Sequence, residues 1–457
     1  MLYSSIEFLY YFLPIAVLVY FLLPKALRNG WLLMASLFFY AWGEPKYTAL
    51  MIASICLNYL WGLAIGFSKQ ERWRRCFLIC SIVTGLGLLG YYKYADFAVE
   101  NVNALFGTGF PLPRLALPIG ISFYTFQILS YTIDVYRGKA EAQKNLIDFG
   151  CYVALFPQLI AGPIVRYIDV DRELKSRSTS MEDFRLGLRR FLMGLGKKIL
   201  IANQLGAFVE LFRASSEKSV LFYWLYAIAF SLHIYFDFSG YSDMAIGLGR
   251  IFGFHFLENF NYPYLSASIQ EFWRRWHMTL GGWFRDYLYI PLGGSRCGKW
   301  KWLRNVLFVW LFTGLWHGAA WNFVLWGLFF AALLLVEKFV PAIGKLPGLL
   351  RHGYVLLAVM VSFVLFNAAS LAQAAGDLAG MFGLAGAPLV TGETLYYLRS
   401  YLAVFAIAVF GCLPFAKRWG EKRSNPVLET IVMAALLMLC TASLVDGSFN
   451  PFLYFRF

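Results

Sequence analysis

Val306 to Val336 reads VLFVWLFTGLWHGAAWNFVLWGLFFAALLLV, with no Asp, Glu, Lys or Arg anywhere in it. As one helix it would rise roughly 45 Å, well beyond a hydrocarbon layer of about 30 Å, yet it is too short for two full crossings and a turn. A break is therefore expected. Trp316-His317-Gly318 is the natural place, because glycine is a poor helix former and non-helical backbone at membrane depth must be buried in protein or line a wet cavity. His317 then lies about a dozen residues, roughly 18 Å, from the nearest charge at Arg304. An ionisable side chain that deep is a functional candidate by default, and histidine suits proton transfer near neutral pH. The competing reading is a neutral imidazole that bridges two helices through hydrogen bonds.

The rest of the chain shares this character. Of 457 residues, 60% are hydrophobic, 19% aromatic and only 14% charged, where soluble domains carry about a quarter charged residues. The composition is that of an all-α polytopic integral membrane protein. Apolar stretches at 8–23, 31–43, 47–67, 76–92, 115–135, 149–165, 220–236, 306–336, 353–371, 395–413 and 427–444 predict about ten to twelve membrane segments, with re-entrant or interfacial helices between them. Residues 1–457 are expected to form a single membrane-embedded domain, with 31–43 short, tilted or partly buried. Glu7 precedes the first run while Lys25 and Arg28 follow it. This reverses the charge order of a secretory signal and predicts a retained helix with its N-terminus outside.

The net charge of +14 has a source in positive-inside loops such as Lys69, Arg72, Arg74 and Arg75, or Lys417, Arg418, Lys422 and Arg423. No basic, polar domain suited to nucleic acid is present, so membrane lipid is the expected surface partner. Seven cysteines without a CxxC pair indicate neither a disulfide framework nor a zinc site, and no metal is expected.

The longest polar interval, 166–198, is expected to hold a basic interfacial segment. Ser180 and Asp183 have the spacing of a capping box, so a helix should start there. Phe184, Leu188, Leu192, Leu195 and Ile199 would form its apolar face, and Arg185, Arg189, Arg190, Lys197 and Lys198 would meet lipid headgroups or an acidic partner.

A second chemical signal is EFWRRWHMTLGGWFRDYLYIPLGGSR (271–296). Helical spacing puts Glu271 within reach of Arg274 and Arg275, and puts Trp273 and His277 on one face. Gly281-Gly282 should end that helix, after which Arg285 and Asp286 offer an adjacent pair. An aromatic interfacial belt accounts for the tryptophans and arginines but not for His277 or the carboxylates. A re-entrant or cavity-lining segment accounts for all of them.

The two histidines, in RRWHMTL and LWHGAAW and 40 residues apart, are accompanied by several long motifs. These are LPIGISFYTFQILSYTIDVYRG (117–138), FPQLIAGPIVRY (156–167), YFDFSGYSDMAIGLGRIFGF (235–254), ENFNYPYLSASIQEFWRRWHMTL (258–280), WFRDYLYIPLGGSR (283–296) and GLWHGAAWNFVLWG (314–327). Together they resemble the membrane-bound O-acyltransferase (MBOAT) family, most closely its bacterial alginate O-acetylation branch. NPFLYFRF (450–457) also looks like that branch, and the catalytic core motifs fall within 235–330.

The resemblance implies the MBOAT fold in a multi-pass protein of the bacterial inner membrane. It implies transfer of an acyl group, acetyl in this branch, from an intracellular thioester such as acetyl-CoA, with no bound cofactor. It also implies a separate extracytoplasmic acetyltransferase partner and a polysaccharide acceptor such as alginate. His317 is catalytic by this resemblance and His277 its companion. The D-alanine export branch is similar in the WHMTL segment and gives the alternative of D-alanyl transfer to cell-envelope polymers. Relatives often carry a further histidine in WGLxHG, where this chain has Phe330.

Elementary chemistry is compatible with those expectations. A thioester is already activated, so the site needs a base for the attacking hydroxyl and a frame that holds both reactants. A buried, neutral His317 can be that base. His277 could orient an intermediate, carry a second proton or bond to the thioester carbonyl. Asn322, Trp316 and Tyr235 are candidate oxyanion donors. Arg274, Arg275 and Arg285 could bind donor phosphates, or pair with Glu271 and Asp286. Asp237 and Asp243 could cap a helix end beside Ser239 and Ser242 or touch substrate. A proton-coupled transporter or flippase, with the histidines as relay, is the rival of a different class, and a non-catalytic assembly scaffold is a third.

Overall fold

The structure is a computed structural model and describes residues 1–160, 162–415 and 425–446. The basic cluster from Lys417 to Arg423, Ala161 of FPQLIAGPIVRY and the C-terminal NPFLYFRF lie outside those residues. Among the described residues the secondary structure is helical throughout, without strands. Among those residues seven helices are long and apolar enough to cross a membrane: Pro45–Phe67, Glu71–Phe106, Val220–Ile251, Trp321–Phe339, Gly348–Asn367, Gly392–Gly411 and Pro426–Asp446. Phe8–Leu22 is a shorter apolar helix. Other apolar stretches form shorter or more heavily charged helices. The stretch at 149–165 divides into Leu146–Ala154, buried from Phe149 onward, and the fully buried Phe156–Leu159, with Pro157 in the first turn of the second.

The chain forms two compact units: Met1–Phe191 with Ser242–Leu257, and Leu192–Tyr241 with the residues from Glu258 onward. Both contain helices long enough to cross a membrane. The division therefore lies within a membrane-embedded chain rather than between membrane and soluble parts. In the first unit the Ile121–Tyr136 helix is buried on nearly every face. It packs against Pro45–Phe67 and Glu71–Phe106, which explains why so short a helix carries so many apolar and aromatic residues.

The basic segment starts as its sequence predicts. Met181–Gly196 is a helix, the Asp183 amide donates to Ser180 Oγ at 3.0 Å, and the Ser180 amide donates to Asp183 Oδ2 at 3.3 Å. Asp183 also meets Arg250 at 3.0 Å. Its pKa is lowered, first by the Ser180 hydroxyl and then by Arg250. A lowered carboxyl pKa gives stability that is full above the ordinary aspartate range and is lost as pH falls through the lowered value. Ser180→Ala is accordingly expected to destabilise the protein by about 1 kcal/mol, measured as a lower denaturation midpoint at neutral pH, with the deficit shrinking under acid.

The expectation that this segment's cations face headgroups needs correction at Lys198, and two of the arginines also have carboxylate partners. Arg185 pairs with Glu182 at 2.7 Å, Arg190 with Asp243 at 2.8 Å, and Lys198 with Asp237 at 2.5 Å. Lys198 and Asp237 are each only 1% exposed. Helical periodicity assigned Lys198 to a solvated face because its carboxylate partner is remote in sequence. Asp237 likewise caps no helix end: it lies inside the unbroken Val220–Ile251 helix. On the apolar face Leu192, Leu195 and Ile199 are buried, whereas Leu188 is exposed.

The second unit is organised by a helical hairpin, Lys299–His317 followed by Trp321–Phe339. The long uncharged run thus breaks where length and glycine predict. Two glycines let the arms approach backbone to backbone: a Cβ on Gly314 would strike the Phe323 carbonyl, and one on Gly327 the Trp310 carbonyl. Close helix packing through small residues is the usual solution where lipid offers no hydrophobic driving force. Gly348–Asn367 packs on the second arm, and an aromatic core including Phe230, Trp276, Trp326, Phe330 and Phe363 fills the unit.

Candidate active site

His317 is the last residue of the first hairpin arm, followed by Gly318 in extended conformation. The imidazole is 4% exposed. Its ring centroid lies 5.0 Å from those of Trp316 and Trp326 and 5.3 Å from that of Phe366. The three rings meet it at steep angles, which excludes water and holds its orientation. Phe330, fully buried, packs on Trp273 at 4.8 Å, Trp326 at 5.2 Å and Trp310 at 5.5 Å. The position that resembles a third family histidine is therefore part of the aromatic wall behind Trp326.

His277 is delivered differently. The Ile269–Arg275 helix is capped by Ser268, whose Oγ accepts from the Glu271 amide at 3.0 Å. The Glu337 carboxylate, from the second hairpin arm, accepts from the Ile269 and Gln270 amides at 2.6 and 3.2 Å. Glu271 accepts from the Ala267 amide at 2.9 Å and pairs with Arg275 at 2.8 Å. This anchored helix stops at Arg275. Trp276 is extended, and His277 adopts the left-handed region, φ 44° and ψ 52°, as the residue before the Met278–Phe284 helix. Few non-glycine residues occupy that region, histidine being among the enriched exceptions.

The expectation that Trp273 and His277 share a helix face fails for this reason: the helix ends between them. Trp273 instead meets Trp310 at 4.7 Å and Trp326 at 5.6 Å in edge-to-face contacts. His277, 1% exposed, meets the edge of Phe238 at 4.6 Å and the Trp316 ring at 6.0 Å, with Nδ1 3.1 Å from Asn259 Oδ1. Burial holds its pKa below the usual histidine range, so the ring is neutral and able to take a proton. Both imidazoles therefore touch one indole, that of Trp316. Residues distant in sequence converge on it through a helix end and a left-handed bend.

The other predicted residues divide into two sets. Tyr235 is buried against Phe260, Tyr264 and Trp276, in the aromatic packing beside His277's neighbour Trp276. Asn322 is buried with its amide donating to the Ala368 carbonyl at 3.0 Å and the Phe366 carbonyl at 3.4 Å. It thereby ties the hairpin to the segment that places Phe366. Arg275 also donates to the Asn261 carbonyl at 3.3 Å, and Arg285 pairs with its neighbour Asp286 at 2.7 Å. Both arginines have the internal partners that sequence spacing offered. Arg274 projects to the surface. Asp237 is held by Lys198 as described. Asn259, Glu337, Trp326 and Phe366 escaped sequence reasoning. Asn259 sits within ENFNYPY, but nothing in its spacing points at His277.

Among the described residues, no group of three His, Cys, Asp or Glu is arranged to hold a metal ion. A neutral His277 and a buried His317 in an aromatic setting suit proton transfer during attack on an activated acyl group.

Residues 106–372 match the membrane-bound O-acyltransferase family, and the chain belongs to that family, as an all-α polytopic membrane protein and an O-acyltransferase. Over its whole length it is 40% identical to the whole of "Probable alginate O-acetylase AlgI" of Azotobacter vinelandii. It is 32% identical to "Peptidoglycan O-acetyltransferase" of Helicobacter pylori, covering all of this chain and 98% of that one. "Teichoic acid D-alanyltransferase" of Bacillus subtilis is 30% identical over 63% of this chain and 80% of its own. The relatives' names describe acyl modification of polymers, and polymer modification is the broad role of this enzyme.

Proposed function

We propose that this protein takes an acetyl group from an intracellular thioester, acetyl-CoA, and passes it across the bacterial inner membrane for O-acetylation of an extracytoplasmic polysaccharide such as alginate. A separate extracytoplasmic acetyltransferase receives the group and completes the modification. The observation that carries this reading is the meeting of His277 and His317 on Trp316 in a chain that is similar from end to end to an alginate O-acetylase. Similarity to the D-alanyl transferases covers less of the chain, which favours acetyl over D-alanyl.

His317 takes the proton of the attacking hydroxyl as its oxygen bonds to the thioester carbonyl carbon. The C–S bond then breaks, and the departing thiolate receives that proton. His277 serves as the second proton-carrying or orienting imidazole. Trp316 sets the separation of the two rings, and the aromatic wall keeps water from hydrolysing the thioester. Arg275 and Arg285 are already paired, which makes the exposed Arg274 and Arg296 the candidates of this stretch to meet donor phosphates.

The test supplies purified protein in lipid nanodiscs with radiolabelled acetyl-CoA, a hydroxyl acceptor and the candidate partner. Labelled acetyl on the acceptor is the expected result. Proton-coupled movement of substrate without any acyl transfer would overturn the proposal in favour of a transporter.

A further inference from the structure

Asn259 meets the 277–279 bend at four points. Its backbone carbonyl accepts from the Met278 amide at 2.9 Å. Its side-chain Oδ1 lies 2.9 Å from Thr279 Oγ1, 3.3 Å from the Thr279 backbone nitrogen and 3.1 Å from His277 Nδ1. Asn259 is 1% exposed, so these contacts are made away from solvent.

The chemistry of the four atoms leaves one assignment. A backbone N–H can only donate, so the amide atom facing Thr279 N must be the oxygen; the NH₂ group there would set donor against donor. That same oxygen faces His277 Nδ1. A bare Nδ1 would oppose lone pair to lone pair at 3.1 Å, so Nδ1 carries the hydrogen and donates it. A neutral imidazole has one N–H, which leaves Nε2 as the atom able to accept a proton. The rings against His277, Phe238 and Trp316, are uncharged and restrict its rotation.

We propose that Asn259 is a positioning residue for the transfer reaction: it holds His277 as the Nδ1–H tautomer and so makes Nε2 the atom through which His277 exchanges protons. The inference rests on the acyl-transfer role proposed above. It gives His277 a defined direction, with Nδ1 committed to the protein frame and Nε2 to chemistry.

Protein labelled with ¹⁵N-histidine, in nanodiscs, tests the assignment, with the His277 signals identified by their loss in His277→Gln. The expected spectrum shows a protonated Nδ1 and a bare Nε2. Asn259→Ala should release the ring toward the Nε2–H form and lower kcat about 10- to 100-fold, by analogy with the loss of partners that orient metal-bound imidazoles, with the donor KM unchanged. Asn259→Asp keeps an acceptor at the same point and should restore both the tautomer and kcat to within about threefold of the parent protein. Thr279→Val removes a different donor from the same oxygen and should leave the tautomer in place, which separates ring control from loss of local structure.

An Nε2–H ring in the parent protein would overturn the proposal. So would an Asn259→Ala variant with tautomer and kcat unaltered, or equal losses in the Ala and Asp variants. The spectrum needs no turnover, so a failure of acetyl transfer would sink the functional reading while the tautomer assignment is judged separately.

Discussion

His317→Ala is expected to lower acyl transfer by about 10²- to 10⁴-fold, the range that a positioned acid–base group contributes. The loss should fall on kcat, because no charge or anchoring contact for the donor is removed. Alanine also leaves space among Trp316, Trp326 and Phe366, so part of any defect could come from the relaxation of those rings. His317→Gln separates the two effects by keeping most of the volume and a polar tip while lacking an imidazole. Turnover of labelled donor, read beside the unfolding midpoint of each variant, decides the matter. Both variants folded and inactive is the expected outcome; either one turning over at the parent rate would remove His317 from the chemistry.

The second large effect concerns stability. Asp237→Ala leaves the Lys198 ammonium buried without its carboxylate, and breaking such a pair from one side typically costs about 3–5 kcal/mol. The variant should show a markedly lower denaturation midpoint in detergent micelles. Replacing both partners, with Lys198→Met and Asp237→Leu, should recover most of the loss, because an apolar pair of similar volume is often no worse than a buried ion pair. A double variant as unstable as the single one would mean that the pair does more than neutralise itself.

Much of this architecture could be read from residues alone, and the failures have a common origin. The break after His317 was legible because it follows from length against bilayer thickness together with one glycine. The cap at Ser180 and the Glu271–Arg275 pair were legible because both partners lie within one helical turn. Lys198 was misread as an interfacial cation, and Asp237 was left open between capping and substrate contact, because their pairing depends on how two remote segments pack. Trp273 and His277 were misplaced together because spacing presumes a continuous helix, and only the structure shows the chain leaving it at Trp276. The role of Asn259 lay beyond sequence for the same reason: its partners are assembled by a bend that no local pattern announces. Phe330 was noted as a departure from the family pattern, and its packing on three aromatic neighbours shows what the position does in this chain.

The left-handed backbone at His277 has an implication for how such an enzyme can be changed. A sequence chosen only for the comfort of the fold would place glycine at 277, which occupies that region without the steric cost borne by a residue with a Cβ. Histidine there bears that cost, and its ring supplies the contacts to Trp316 and Asn259 that glycine would lack. Redesign of the bend for stability alone would therefore tend to erase the very residue that links it to Trp316, and a more robust protein obtained that way would be a less active one.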